Sequence, residues 1–408
     1  MSMIGSTLTG DVLTWWMFGS LAVCLGALAL ASVNLSRFRT APHQTDSEGW
    51  TLTVCIPARN EASNLEDCVR SVLAAADDDP ASRTRVMVYD DGSEDETPTI
   101  LARLVREDDR VEAAVVKPLP EGWNGKQHAC DCMGRQAQSD WVLFTDADVR
   151  FTPDSLRRTR AEMRRAGRSE RPITLLSAFP RERTGSLGEA LVVPFIHVIL
   201  LSYLPMGRMR RTLDPAASAA CGQFILCDRV AWLDAGGHAA IRESMHDGVR
   251  LPRIFRSHGH ATDIFDGTDI VSCRMYRGFA ETWSGFAKNA YEGLGNPILL
   301  GLLTVLHIGG HVAPWLLILY AIAAGMGVPG FENAVLPGFA IVLAVIAIAC
   351  QFTLRFRLAS RFSQSTVAAL LHPIGLVLLT IIQWWSFRLH VSGQRSWRGR
   401  VAKSTAIT

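Results

Sequence analysis

Two carboxylates two residues apart, Asp146 and Asp148 in WVLFTDADVR, have the type and spacing to share one hard divalent cation, Mg²⁺ or Mn²⁺. Such a pair leaves coordination positions for diphosphate oxygens. A strand-like run, Trp141 to Thr145, ends directly at them, and open α/β sheets bind ligands beyond the carboxyl ends of their strands. Three polar segments precede the pair: VCIPARNE at 54–61, VYDDGSEDET at 88–97 and GWNGK at 122–126. In the first, Pro57, Arg59 and Glu61 gather at the end of a hydrophobic strand, where an ordinary helix-capping loop would read the same way. In the second, Asp90 or Asp91 offers acceptors for a nucleobase N–H or a ribose hydroxyl, and Gly92 permits the turn. In the third, Gly122 and Gly125 relax the backbone and Lys126 sets a compact positive charge against a phosphate. A helix over 126–138 would add backbone N–H groups to the same anion site; a plain surface lysine after a turn is the alternative.

The elements that must position these groups follow from periodicity. Leu52 to Ile56 reads as a first buried strand, Arg85 to Tyr89 as a second, Val111 to Val116 as a third and Trp141 to Thr145 as a fourth. Between the first two, Ser63 and Glu66 form an S-x-x-E capping box, and Leu65, Val69, Val72 and Leu73 make one apolar helical stripe. Strands alternating with helices imply βαβ units and a mostly parallel sheet, so the fold class is α/β with every polar motif on one sheet edge.

Charge and composition narrow the partners. A net charge of +2 over 408 residues leaves no nucleic-acid footprint. The 48% hydrophobic content is concentrated at the two ends, which points to the membrane. Nine cysteines, including the close set His128, Cys130 and Cys132, lack the second ligand pair of a zinc site and read as small buried side chains of a reducing compartment.

The apolar run 13–33 is long enough to cross ~30 Å of hydrocarbon, with Arg37 and Arg39 following it and no Lys or Arg before it. The positive-inside rule then places the segment after residue 34 in the cytoplasm. Three further runs lie at 298–324, 334–353 and 366–387. The connector 325–333 carries only Glu332, while 354–362 carries Arg355, Arg357 and Arg361, which fits an outer and an inner loop. Arg388, Arg395, Arg398, Arg400 and Lys403 in the tail then fall on the wrong side, unless the last segment re-enters near Pro373. Leu187 to Met206 is apolar but interrupted by Glu189, Pro194 and His197, so it reads as a buried helix or as one lying in the membrane interface.

The ordered set VCIPARNE, DDGSEDET, GWNGK and TDAD resembles the family 2 glycosyltransferases, which have the GT-A nucleotide-diphospho-sugar fold. PLPEGWNGK closely resembles a phrase of the hopanoid- and carotenoid-pathway membrane members, which also carry one N-terminal and several C-terminal membrane segments. The resemblance therefore covers most of the chain. It implies that the first loop meets the nucleotide, with Glu61 at the family's acidic position, and that CGQFILCDRVAWLDAGGH at 221–238, with Gly222 and Gln223, faces the acceptor. It also implies that Asp247, in SMHDGVRLPRIFRSHG, is the catalytic base. Here the usual acidic pair is His246-Asp247, so Asp247 alone carries that assignment, with His246 sharing it or idle; a helix cap is the competing role. The Q-x-x-R-W motif of chain-polymerising members is missing, which argues for a single transfer.

The expectation is thus an inverting, membrane-bound enzyme moving one hexose from a nucleotide-diphosphate sugar to a membrane lipid of hopanoid or carotenoid type. Polyprenyl phosphate or diacylglycerol acceptors, a nucleotidyltransferase and a non-catalytic nucleotide-binding scaffold are the alternatives. The expected division is a membrane anchor at 1–36, a cytoplasmic catalytic domain at 45–292, membrane segments at 297–390 and a basic tail at 391–408, in the cell (inner) membrane.

Overall fold

The computed structural model describes residues 2–43, 48–167, 171–331, 336–394, 396–397 and 400–401. The chain divides into two compact units, one formed by 37–183, 204–275 and 388–408, the other by 1–36, 184–203 and 276–387.

In the first unit the two larger sheets are built from β1 Thr51–Ala58, β2 Arg83–Asp90, β3 Val111–Ala113, β4 Trp141–Phe144, β5 Val149–Phe151, β6 Ile173–Phe179, β7 Arg181–Glu182, β8 Ile225–Asp228, β9 Ala261–Asp266 and β10 Val271–Cys273, and a short pair, Ser396–Trp397 with Arg400–Val401, lies apart from them. Seven build one sheet in the order β3-β2-β1-β4-β8-β6-β9. Its first four strands are parallel, with Val54 opposite both Val86 and Leu143. Val54, Cys55, Ile56, Val86 and Val88 are all fully buried, as expected where both faces of a parallel sheet are covered by helices. β8 runs antiparallel to β4 and to β6, while β9 is parallel to β6, so the sheet is mixed on that side.

Two local expectations in this unit need correction. The third strand stops at Ala113, opposite Val88, although β2 runs on to Asp90; Val115 and Val116 beyond it are exposed. The helix Leu65–Asp77 buries the foreseen stripe Leu65, Val69, Val72 and Leu73, but no capping box forms. Its N-cap is Asn64, whose side-chain nitrogen donates to Glu61 Oε2 (2.9 Å), and Glu66 instead pairs with Arg103 (2.6 Å) and Arg70 (2.9 Å).

A small second sheet was not foreseen. β10 lies between β5 and β7, with Cys273 opposite Val149 on one side and Glu182 on the other. It fixes the chain directly after Asp148.

The second unit is helical. Among the described residues four helices are long and apolar enough to cross a membrane: Asp11–Arg37, Pro297–Gly325, Gly338–Phe362 and His372–Val391, with hydropathies of 1.9, 1.8, 2.2 and 1.4. The second contains a π-helical stretch, Val305–Val312. The third corrects the connector assigned to 354–362: the helix continues to Phe362 and ends at Ser363, a left-handed residue (φ 53°). Arg355, Arg357 and Arg361 are therefore helical. Arg357 donates to Ser32 Oγ (2.6 Å), and Arg355 is buried. Pro373 sits in the first turn of His372–Val391, where proline is tolerated. The stretch 187–206 breaks at Pro194 into Leu187–Val192 and Phe195–Tyr203, both belonging to this helical unit. Glu332, Arg395, Arg398 and Lys403 lie outside the described residues, and of Arg400 only the backbone is described.

Candidate active site

Parallel strands β1, β2 and β4 deliver their polar loops to one sheet edge. At the end of β1, Pro57 pairs in register with Tyr89 and Ala58 with Asp90. Asn60 adopts a left-handed conformation (φ 55°) and ties the first two loops together: its N–H donates to Ser93 Oγ (2.9 Å) and its Oδ1 accepts from the Glu94 N–H (2.8 Å). The buried Arg59 donates to the backbone oxygens of Asp91 (2.6 Å) and Gly92 (3.2 Å), so it braces the second loop. Asp90 accepts from the Ser93 N–H (3.0 Å) and hydroxyl (2.5 Å) and thereby holds its own turn. Glu61 and Asp91 are both buried beside them.

GWNGK opens the helix Gly125–Gln136. Asn124 is its N-cap and accepts from the N–H of Lys126 (2.9 Å), which aims the first turn. The Lys126 ammonium then reaches two carboxylates at once: Asp146 Oδ1 at 2.7 Å and Asp247 Oδ2 at 3.0 Å. Burial disfavours the ammonium, but Asp146 and Asp247 outweigh burial and raise its pKa well above the usual lysine value. Burial likewise opposes ionisation of Asp247, yet Lys126, with smaller help from His238 and His246, holds its pKa below the ordinary carboxylate range.

Asp247 opens the helix Asp247–Ser257, and its Oδ1 accepts only from the neighbouring Gly248 N–H (2.7 Å), without the reach to the second or third turn residue that a cap makes. His246, just before it, is half-buried. The segment 220–222 abuts this turn: the Ala220 N–H donates to Gly248 O (2.7 Å). A Cβ on Gly222 would overlap the Asp247 carboxylate, and one on Gly248 would overlap Ala220 O. Both glycines are needed for this approach. Gln223 is buried, accepts from Thr145 Oγ1 through its backbone oxygen (2.7 Å) and donates to Cys273 Sγ (2.9 Å).

Asp148 Oδ1 is buried and has no hydrogen-bond partner. Burial first, then Asp146 and Glu61, pushes its pKa up to about 7. An orphaned carboxylate oxygen beside a second carboxylate is a configuration that a cation relieves. Asp146 and Asp148 are hard oxygen donors and fit Mg²⁺ or Mn²⁺. Among the described residues no group of three or more His, Cys, Asp or Glu side chains is arranged to hold a metal ion, so a cation at the pair would take its other ligands elsewhere.

The structure thus joins Lys126, Asp146, Asp247 and Gly222 directly and sets Glu61 and Asp148 in their field. Two contributors escaped the sequence reading. Asn124 carried a signal, an asparagine directly before the first helical residue. Glu182 carried none: it lies between two arginines, yet β10 brings its carboxylate near Asp148 and Asp146, and burial raises its pKa well above normal. His128, Cys130 and Cys132 are buried along one helix, with His128 bridging Tyr89 (3.5 Å) and Cys132 (3.6 Å), and all nine cysteines are free thiols.

Residues 53–169 match the family described as Glycosyl transferase family 2. The 4,4'-diaponeurosporenoate glycosyltransferase of Staphylococcus aureus strain USA300 is 26% identical over 355 residues, covering 86% of this chain and 87% of the relative. Its counterpart in the bovine strain RF122 is 26% identical over 356 residues, covering 86% and 88%. Among solved structures, a mannosyltransferase from Pyrobaculum calidifontis in complex with GDP-Man and Mn²⁺ superposes with a TM-score of 0.56 at 18% identity, over 91% of this chain and 99% of that one. The likeness establishes a GT-A fold.

Proposed function

We propose that this chain, a glycosyltransferase carrying a family 2 domain of GT-A fold, transfers a single hexose from a nucleotide-diphosphate sugar to a membrane lipid with inversion. The observation that carries the reading is the double contact of Lys126, which ties the Asp-Ala-Asp segment to Asp247. Asp91 and Glu61 meet the nucleoside, with Arg59 and Asp90 holding their loops. Asp146 and Asp148 would hold a divalent cation, which when bound neutralises charge developing on the departing diphosphate. Lys126 assists there as a point charge.

Asp247 takes the proton of an acceptor hydroxyl while the oxygen bonds to the anomeric carbon and the bond from that carbon to the diphosphate oxygen breaks. One carboxylate opposite the leaving group suffices for inversion. A donor diphosphate competes with Asp247 for the Lys126 ammonium. Drawing that cation away lets the Asp247 pKa rise from its depressed value, so the base strengthens once donor is in place.

The relatives are named for a carotenoid-type carboxylate, which supports a lipid acceptor and the carotenoid side of the hopanoid-or-carotenoid expectation. Lipid extracts from cells with and without the gene, compared by mass spectrometry, should differ by one hexose on one lipid class. Unchanged lipids, or a polymer ladder, would refute single transfer.

In this reading 1–36 is an anchor, 45–292 the catalytic domain, 297–390 membrane segments and 391–408 a basic tail, with 184–203 and 276–292 of that domain packed in the helical unit. On the same reading, with Arg37 and Arg39 directly after the apolar run 13–33, residues 45–292 face the cytoplasm. Protease added to sealed right-side-out cells should spare them; cleavage there without permeabilisation reverses the topology.

Gly222→Ala tests the acceptor side. The added methyl displaces the Asp247 carboxylate, and a misplacement of about 1 Å costs on the order of 10²-fold in turnover. Nucleotide-sugar affinity should stay near parental. Unchanged turnover would mean the carboxylate position is immaterial.

A further inference from the structure

The chain leaving the first apolar helix enters a cluster of arginines that the transfer chemistry does not use. Arg37 is the last residue of the helix Asp11–Arg37. The residues after it are fixed on the outermost strand, β9, and its neighbour β6. Phe38 is 1% exposed and packs edge-on against Phe179 (5.9 Å), and Arg39 O accepts from the Asp266 N–H (2.9 Å). The short helix Met206–Arg211 is held beside them. Its Met206 and Met209 are buried, and Arg256 donates to Met209 O (2.8 Å). Arg210 donates to Arg37 O (3.0 Å) and, through Nε, to both carboxylate oxygens of Asp263 (2.9 and 3.0 Å).

Arg37, Arg208 and Arg211 remain exposed on this rigid support. Two of them meet at Gly207: a Cβ there would overlap Arg37 Nη1 and stand 3.6 Å from Arg211 Nη2, so only glycine lets both guanidinium groups come together. Arg171 adds a further guanidinium, which donates to Arg211 O (3.2 Å). Asp263 is engaged by Arg210, and Asp214 by Arg208 (2.6 Å). Among the described residues no carboxylate lies within ion-pair reach of Arg37 or Arg211. Like charges held together in this way repel, and an anion between them relieves the repulsion. Guanidinium groups match phosphate oxygens in particular, because their planar fork donates two parallel hydrogen bonds.

We propose that Arg37 and Arg211, with Arg208 beside them, clamp the phosphate of an anionic phospholipid at the membrane surface. Chain continuity favours a lipid over a soluble phosphate. Arg37 ends a 27-residue helix of mean hydropathy 1.9, so where that helix crosses the bilayer its last residue stands at head-group depth. Anionic lipids of the cytoplasmic leaflet attract basic residues placed there. The inference rests on the reading of this helix as a membrane anchor and is independent of the transfer reaction. Whether the chain needs detergent to leave the membrane tests the anchor by itself.

Native mass spectrometry of the purified full chain in detergent, titrated with dioleoylphosphatidylglycerol or dioleoylphosphatidylcholine, reads the affinity of the first retained lipid. Phosphatidylglycerol should bind at least about fivefold more tightly, the contribution of one arginine at an anionic surface. Arg211→Gln should remove most of that preference. It leaves Arg37 and Arg39 behind the first helix, so the topology is undisturbed. Arg106→Gln, at an exposed arginine of the helix Thr97–Glu107, should keep the preference intact. Glycerol 3-phosphate, which is the head group without acyl chains, should not displace the lipid at equal concentration. Equal binding of the two lipids, an unaltered preference in Arg211→Gln, an equal loss in Arg106→Gln, or displacement by glycerol 3-phosphate each overturns the proposal. Should Arg211→Gln fail to elute as a single species, Arg37→Gln decides: preference lost supports the clamp and preference unchanged overturns it.

Discussion

Asp247→Asn should lower turnover by ~10²-fold or more, since general-base catalysis contributes at least that much, while nucleotide-sugar affinity stays near parental. The amide is isosteric and still accepts from the Gly248 N–H, so the turn that opens the helix Asp247–Ser257 is preserved. Lys126 loses one of its two carboxylates but keeps Asp146 at 2.7 Å, so the donor side keeps its charge arrangement. What disappears is the proton acceptor. A helix-capping role would leave activity largely intact, because asparagine caps as well as aspartate. Affinity and turnover measured on the same variant separate the two. Near-parental turnover on a hydroxyl acceptor would return Asp247 to a structural role and move suspicion to His246. An acceptor that presents an ionised carboxylate arrives without a proton, so a defect confined to hydroxyl acceptors would strengthen the base assignment.

Particular residues show why some of this was legible in sequence. β1, β2 and β4 each carry a buried apolar run toward their carboxyl ends, so those ends, and the loops at 57–61, 90–93 and 146–148, could be placed from pattern alone. The antiparallel strand β8 sits between β4 and β6 through pairings more than 45 residues apart, which no local pattern encodes. The capping box failed for a similar reason: Ser63 and Glu66 have the right spacing, but Arg103, 37 residues away, claims the carboxylate. Arg355 was assigned to a loop because arginines after an apolar run suggest its end; spacing says nothing about the buried side of a helix that continues to Phe362. Glu182 is functional in placement only because β10 pairs with both β5 and β7.

Asp148→Asn should abolish transfer and at the same time make the protein more stable at neutral pH in the presence of a chelator. The parental side chain is half-buried with its Oδ1 enclosed and without a partner, and its pKa is raised to about 7, so in the folded state without a cation it resists ionisation. In the unfolded chain it ionises near 3.8. Between these values the folded state binds the extra proton, so stability falls as pH rises from about 4 to 7 and stays lowered above that. The neutral amide removes this loss, which is the usual exchange of function for stability at a strained site. A cation supplies the missing counter-charge, so Mn²⁺ should raise the parental melting temperature at pH 7.5 and leave that of the variant nearly unchanged. Melting curves of both proteins, with and without Mn²⁺, check each part, and turnover under chelation checks the chemistry. A parent that is insensitive to Mn²⁺ and fully active in chelator would remove the cation from Asp146 and Asp148. Diphosphate departure would then rest on Lys126, the charged group already in contact with Asp146.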